Sequence, residues 1–420
     1  MTTATAIDTA VDPQDSESRT GLGGPRALRA LICAACLASA TFQQGIVPLL
    51  PAYAHRFGLS GLQSGMLLAA TALSTMAVSL PAGALADRLG ARRLTIVAGW
   101  LMAVAMLAEA FAPSFSLLLL SRLVFGAGYG IVWTAGLTWL AGVSPEGSGL
   151  GATVVCSGIG GILGPALAGS LAGLVDLAMP FLIAALVFAT LSLLLSTMRL
   201  PSPVPEAATS GFRRSAGGML RNRGIVAATA AVIISGMTWS VTYLLAPGEL
   251  HAGAVSTAAI GLVLSAAAAV YVIGSMATTS LGTRAMRPRW ILLAIAGAAF
   301  AFIPGILSSE PVAITAMICG GAIARSVLWT VCYPIAARGA ERMGIGVGVV
   351  MGFLQAVWAT TSVMSPLAAG ALVGLAGPRE IFALALLGCL GVLGLTVAWM
   401  YRRPLSAWAR VSFDHVTAYR

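Results

Sequence analysis

The sequence predicts an all-α membrane protein, with twelve transmembrane helices arranged as two pseudo-symmetric six-helix bundles. Of its 420 residues, 58% are hydrophobic and 9% charged, with a mean hydropathy of +0.92, whereas water-soluble domains carry about 25% charged residues. The apolar residues fall in unbroken runs of about twenty, the length that crosses about 30 Å of hydrocarbon as a helix; a transmembrane barrel would alternate apolar and polar over about ten residues. The longest polar interruption, residues 199–224, divides the runs six and six.

In order, the runs place spans at 28–51, 64–86, 94–112, 115–141, 150–174 and 178–198 in the first half. The second half places them at 225–247, 257–281, 290–308, 312–337, 346–374 and 380–401. Residues 1–27, with Asp8, Asp12, Asp15 and Glu17, read as a disordered cytoplasmic leader. The small residues around Ser39 and Ala40 mimic a signal-peptide cleavage site, but eleven further spans and the acidic leader favour an uncleaved first helix. Residues 199–224, holding Pro201, Pro203 and Pro205, read as a cytoplasmic linker, and 402–420 as a cytoplasmic tail.

All 24 basic residues are arginines, for a net charge of +10. With the N-terminus inside, twenty of them fall on cytoplasmic segments, from Arg19, Arg26 and Arg29 to Arg402, Arg403, Arg410 and Arg420. Only Arg56 and Arg379 fall outside, and Arg122 and Arg325 lie within spans. Because basic residues near span ends are retained on the cytoplasmic side, this bias places both termini in the cytoplasm of a plasma (inner) membrane protein. The basic balance therefore reports topology and anionic lipid at the inner leaflet, not nucleic-acid binding. The six cysteines, Cys33, Cys36, Cys156, Cys319, Cys332 and Cys389, all fall inside spans, so neither a disulfide framework nor a metal site is implied.

The halves repeat. Residues 164–173 in span 5 resemble 365–374 in span 11 at an offset of 201, and Trp133-Thr134 in span 4 matches Trp329-Thr330 in span 10 at an offset of 196. Duplicated six-helix halves are the plan of transporters in which two bundles rock about a central site.

After span 2 the chain reads Gly83-Ala-Leu85-Ala-Asp87-Arg88-Leu-Gly90-Ala-Arg92-Arg93, with one carboxylate among three arginines at a helix boundary. This resembles the loop signature G-x-L-x-D-R-x-G-R-R of the major facilitator superfamily, and the resemblance extends over residues 28–401. It implies the major facilitator fold, and a conformational latch at Asp87, Arg88 and Arg92, with Gly83 permitting close helix approach and Gly90 a tight turn. The corresponding loop of the second half, Gly274 to Arg289, keeps its arginines and has no acid, so any latch is one-sided. In span 4, Arg122-Leu-Val-Phe125-Gly126-Ala-Gly128 is similar to the superfamily's R-x-x-Q-G-x-G pattern, with Phe125 where glutamine is usual; the resemblance implies a role in proton transfer. Span 5 carries Gly160, Gly164, Pro165 and Gly169, similar to the motif of the drug and proton antiporter branch, with Ala168 replacing one glycine. Small residues every four positions and a proline kink predict tight packing of span 5 against its counterpart in the other half.

An arginine at bilayer depth costs at least about 2.5 kcal/mol unless it is paired or hydrated, so Arg122 and Arg325 are expected to face the bundle interior. Arg325, Trp329 and Tyr333 share one helix face, as do Arg122, Tyr129 and Trp133 in the first half. These stripes predict a shared substrate cavity, to which Trp239, Tyr243, Gln43, Gln44, Gln355 and Trp358 are further candidates. Proton coupling needs a titratable group, and Glu109 is the one acid within a span beyond its first residue; Glu109 and Arg122 are the coupling candidates.

No Walker loop, metal cluster or nucleophile with its base is present in the sequence, which argues against ATP-driven transport or an enzyme within this chain. The expected function is secondary active transport by alternating access. Its expected form is proton-coupled efflux of a small apolar or amphipathic compound, anionic if the two arginines face it. A proton-linked importer of a small metabolite and a non-transporting membrane receptor are the alternatives. The expected partners are a small-molecule substrate, protons and membrane lipid, with a proton gradient in place of any cofactor and a monomer sufficient for the mechanism.

Overall fold

The computed structural model describes residues 24–143, 148–198, 200, 222–281, 288–343 and 347–401. Most of the leader and linker, and all of the tail, lie outside the described residues. Within the described residues every regular element is helical, and twelve helices are long and apolar enough to cross a membrane.

Helix α1 starts at Pro25, where a missing N–H and a fixed φ suit the first turn. It runs over Pro25–Gly45, tightens through Val47–Leu49 and continues over Leu50–Phe57. Gly58 ends it at φ +59°, the left-handed conformation that glycine adopts at least cost. Helix α2 (Gly61–Leu89) opens on a capping box, with Gln63 N–H donating to Ser60 Oγ and Ser60 N–H donating to Gln63 Oε1. One residue, Gly90, separates it from α3 (Ala91–Ala110). Its φ of +87° with ψ of 132° belongs to a region essentially reserved for glycine.

Helix α4 starts beneath the Ser114 cap, runs over Phe115–Ile131, passes through a π-helical turn at Val132–Gly136 and resumes over Leu137–Val143. Helices α5 (Ser148–Leu174) and α6 (Met179–Thr197) complete the first half. The second half holds α7 (Arg223–Ala252), α8 (Thr257–Ser280), α9 (Pro288–Phe300 and Ile303–Leu307), α10 (Pro311–Arg342), α11 (Val347–Ala376) and α12 (Pro378–Tyr401). Several helices outrun their apolar stretches: α1 passes residue 51 to reach 57, and α10 passes 337 to reach 342. Their end turns are polar, because helical hydrogen bonding continues where hydrocarbon gives way to headgroups.

The helices group into two compact units that do not follow the sequence midpoint. The first takes the described part of Met1–Ala208 together with Tyr243–Ala269 and Ser362–Leu375. The second takes the described parts of Thr209–Thr242, Val270–Thr361 and Ala376–Arg420. In the first unit Trp139, Phe125, Phe181 and Phe188 are fully buried, and small residues bring helices together, as where Gly99 of α3 lies on Ser192 of α6. In the second, Phe302 stacks on Phe382 with ring centroids 6.2 Å apart. Large apolar side chains such as Leu73, Leu186, Val312 and Leu375 stand exposed, as lipid-facing residues do.

The first unit contains two seams that join the halves of the chain. A Cβ at Gly65 would fall on the carbonyl oxygen of Pro366, and one at Gly61 on that of Gly370, so α2 and α11 meet backbone to backbone. A Cβ at Gly261 would fall on the carbonyl oxygen of Pro165, and one at Gly169 on that of Thr257, so α5 and α8 meet in the same way. Adding 196 to Gly61 and Gly65 gives Thr257 and Gly261, and adding 201 to Pro165 and Gly169 gives Pro366 and Gly370. The two seams are one contact with the halves exchanged. Helix α5 therefore meets α8, and not its counterpart α11 as its motif predicts from sequence; the small residues of α11 are taken by α2.

Gly90→Ala should destabilise the chain by about 1–3 kcal/mol, the cost of holding a non-glycine residue in this conformation. Gly58→Asn, in an ordinary left-handed cap, should cost well under half as much. Thermal unfolding of both variants in detergent checks the order.

Candidate functional site

The first unit carries a buried polar cluster built from three helices. Arg122, two turns into α4, is 1% exposed and Glu109, in the last turn of α3, also 1%. Their nearest charged atoms, Arg122 Nη1 and Glu109 Oε2, lie 3.7 Å apart. This is Coulombic contact without a direct hydrogen bond, worth about 4 kcal/mol at an effective dielectric of about 20. From α1, Gln43 offers its side-chain Oε1 to Arg122 Nη2 at 3.2 Å and its backbone carbonyl at 3.5 Å. The Phe125 ring lies 5.2 Å from the guanidinium carbon. The phenylalanine that departs from the superfamily pattern thus supplies an aromatic face to the arginine, and the glutamine that serves it comes from α1.

The cluster continues along α4. Tyr129 lies 6.4 Å from Phe125 and 5.9 Å from Trp133, ring centre to ring centre. The π-helical turn begins just before Trp133, and such turns are often found at functional sites. Glycines seat α4 on both neighbours: Gly126 and Gly130 lie on Thr71 and Thr75 of α2, and Gly128 on Ala98 and Met102 of α3. Thr75 Oγ1 donates to the Gly126 carbonyl at 2.9 Å. Trp133 Nε1 and Gln44 Oε1 are buried and have no partner among the described protein groups. A buried polar group of that kind costs about 1–3 kcal/mol unless water or a ligand meets it.

Helix α5 serves two neighbours. Gly160 lies on the Leu37 carbonyl and Thr41 of α1, and Gly164 on Thr41 and Gln44. From the next residue on, Pro165 and Gly169 lie on α8, where the Ala166 amide, just past the proline, donates to Ser265 Oγ at 2.8 Å. The four motif residues are thus shared between a contact within the first half and a seam to the second. Ser265 carries no motif that would single it out in the sequence.

In the second unit four of the aromatic candidates form a chain. Trp239 of α7 and Trp358 of α11 have ring centres 6.0 Å apart, and Trp358 and Trp329 of α10 lie 5.7 Å apart at 87°. Trp329 and Tyr333 lie 5.3 Å apart at 82°, and Tyr333 donates its hydroxyl to Gln355 Oε1 at 2.9 Å. Arg325, one turn from Trp329, places its guanidinium carbon 5.1 Å from the ring centre of Tyr271 in α8. Tyr271 is missed in the sequence, where an isolated tyrosine in an alanine-rich span carries no signal. Tyr243 is buried in the first unit.

Among the latch candidates, Gly83, Asp87 and Arg88 lie in the last turns of α2, and their side chains are outside the described residues. Arg92 donates from Nε to the Met198 carbonyl at 2.5 Å and from Nη2 to the Ser196 carbonyl at 2.6 Å. It caps the C-terminus of α6, where unpaired carbonyls and the negative end of the helix dipole favour a cation.

Twelve long apolar helices, glycine-proline seams that join the two halves, and a buried charge cluster define a polytopic membrane protein of the kind that moves solutes. The chain belongs to the Major Facilitator Superfamily, whose sequence pattern matches residues 32–351. Over 174 residues it is 34% identical to the quinolone resistance protein NorA of Staphylococcus aureus (strain MRSA252), covering 40% of this chain and 44% of that one. Over 155 residues it is 34% identical to a multi-drug resistance efflux pump PmrA homolog of Lactococcus lactis, covering 36% of this chain and 38% of the other. The chain therefore matches less than half the length of these relatives. Among solved structures, it is similar to the nucleoside transporter NupG (TM-score 0.71, 13% identity, covering 90% of this chain and 99% of the other). It is also similar to an inward-facing bacterial homolog of the human lysosomal transporter Spinster (TM-score 0.74, 15% identity, covering 90% and 96%). At such identity the likeness establishes the fold.

Removing either member of the buried ion pair strands the other's charge, at a cost of about 3–5 kcal/mol. Arg122→Leu and Glu109→Leu should each lower thermal stability by that order, and the double variant by much less than their sum. A double-mutant cycle on thermal unfolding of the full chain in detergent measures the coupling.

Proposed function

We propose that the chain is a secondary transporter that works by alternating access and exports a small apolar or amphipathic compound in exchange for protons. The observation that carries this reading is the pair of exchanged seams, α2 with α11 and α5 with α8. Their closest approaches are backbone to backbone, with one side chain at each, Val373 on Gly61 and Ser265 on Ala166, so helices can part and meet again with little repacking. By the arginine distribution the seams lie at the outer ends of their helices, and both termini lie in the cytoplasm. Similarity over part of the chain to quinolone and multidrug resistance proteins supports export over import.

For coupling, Glu109 is the one carboxylate in the apolar stretches of the sequence. Protonating it would leave the Arg122 charge without its counter-ion in a low-dielectric setting, which is tolerated only if Arg122 gains water or another partner. Proton arrival and rearrangement of α1, α3 and α4 are thereby linked, because Gln43, Glu109 and Arg122 come from these three helices.

Purified chain in proteoliposomes under an imposed pH gradient tests the reading. Substrate flux opposite to proton flux supports exchange; parallel flux would establish import, and no flux would leave a receptor. Glu109→Gln should reduce gradient-driven flux at least tenfold while the variant still inserts in the membrane. Gly261→Leu, by holding α5 and α8 apart, should raise labelling of a cysteine introduced at Thr257 by a membrane-impermeant maleimide severalfold.

A further inference from the structure

We propose that the aromatic face of the second unit binds a planar aromatic monoanion, with the anionic group toward Arg325 and the ring among Trp239, Trp329 and Trp358, and that this face disfavours aromatic cations. The inference rests on the transport reading only for its physiological meaning; the binding site stands on its own geometry.

Three observations carry it. The first is charge. The stretches 224–248, 257–280, 290–307, 311–337, 347–376 and 381–401 contain one formal charge, and it is the positive charge of Arg325. In the first half, the stretches 30–51, 64–86, 94–112, 115–141, 150–174 and 178–198 contain Glu109 and Arg122, which face each other at 3.7 Å. The membrane interior of the whole chain thus sums to one positive charge.

The second is spacing. Trp329 follows Arg325 by one turn, so the two side chains leave one face of α10 from backbone positions about 6 Å apart along the helix axis. That is the separation between a carboxylate carbon and the far ring of a bicyclic aromatic acid. Arg325 and the tryptophans Trp239, Trp329 and Trp358 are all half-buried, so the face is partly accessible.

The third is the arrangement of the rings. Trp329 meets both Trp358 and Tyr333 nearly edge to face, so ring faces that would receive a cation are partly covered by neighbouring edges. A fourth ring, Tyr271, already faces the guanidinium of Arg325. Magnitudes decide between the two ligand charges. A cation over a tryptophan gains roughly 2- to 30-fold in affinity. A like charge about 6 Å from a guanidinium loses about 100-fold at an effective dielectric of about 20.

The test uses three probes of matched shape: 2-naphthoate, 2-naphthamide and 2-naphthylmethylammonium. Binding to the full chain in nanodiscs is followed by calorimetry, with empty nanodiscs subtracted. The wild type should bind naphthoate at least tenfold more tightly than the amide and the ammonium compound most weakly. Arg325→Gln should abolish the preference for naphthoate over the amide, Arg325→Lys should retain part of it, and Trp358→Ala should weaken naphthoate and naphthamide alike. The ammonium compound binding as tightly as naphthoate, a charge order unchanged in Arg325→Gln, or no binding of any probe by the wild type would each overturn the proposal. Ordered binding in nanodiscs without flux in proteoliposomes would sink the transport reading and leave this site standing, whereas flux of the ammonium compound that survives Arg325→Gln would do the reverse.

Discussion

The scarcity of charge in a low-dielectric medium shapes this molecule more than any other constraint. Away from the first two residues of each span, two arginines and one glutamate are the only formal charges in its apolar stretches, and each has a visible physical setting. Glu109 and Arg122 neutralise each other across 3.7 Å, with Gln43 and Phe125 holding the guanidinium from two further sides. Arg325 rests against Tyr271 at the head of an aromatic chain. The other arginines among the described residues sit near helix ends, where Arg92 shows what one can do: it closes the last carbonyls of α6.

Glycine and proline form the second layer of the design. In water, helices are driven together by burial of apolar surface; in lipid that force is absent and close backbone approach must serve. The chain applies this at two depths of organisation. Within the first half, Gly160 and Gly164 seat α5 on α1, and Gly126, Gly128 and Gly130 seat α4 between α2 and α3. Between the halves, the same chemistry builds the exchanged seams, whose equivalence follows from the internal repeat.

The fold was largely legible in the sequence, because apolar runs of membrane length leave few alternatives and the repeat divides them evenly. The site was legible in residue type more than in arrangement. Arg122, Glu109 and the tryptophans announce themselves, since polar and indole side chains are rare in such runs. Their partners do not: Gln43 looked like a cavity residue and proved to hold Arg122, while Tyr271 and Ser265 lie in stretches with no distinguishing pattern. The partner of α5 was misread because small-residue spacing states that a helix will pack closely but not against which neighbour. The π-helical turn at Val132–Gly136 leaves no signature in its five residues.

The hydrogen bond from the Ala166 amide to Ser265 Oγ has a consequence for how the two helices separate. As long as α5 and α8 touch, this donor is satisfied without water. Pulling them apart in a dry environment would forfeit this bond, about 0.5–1.5 kcal/mol or more, whereas in a wetted crevice water takes the hydroxyl's place. The contact between α5 and α8 is therefore sensitive to moisture: it holds more firmly in dry surroundings than where solvent has already entered beside it.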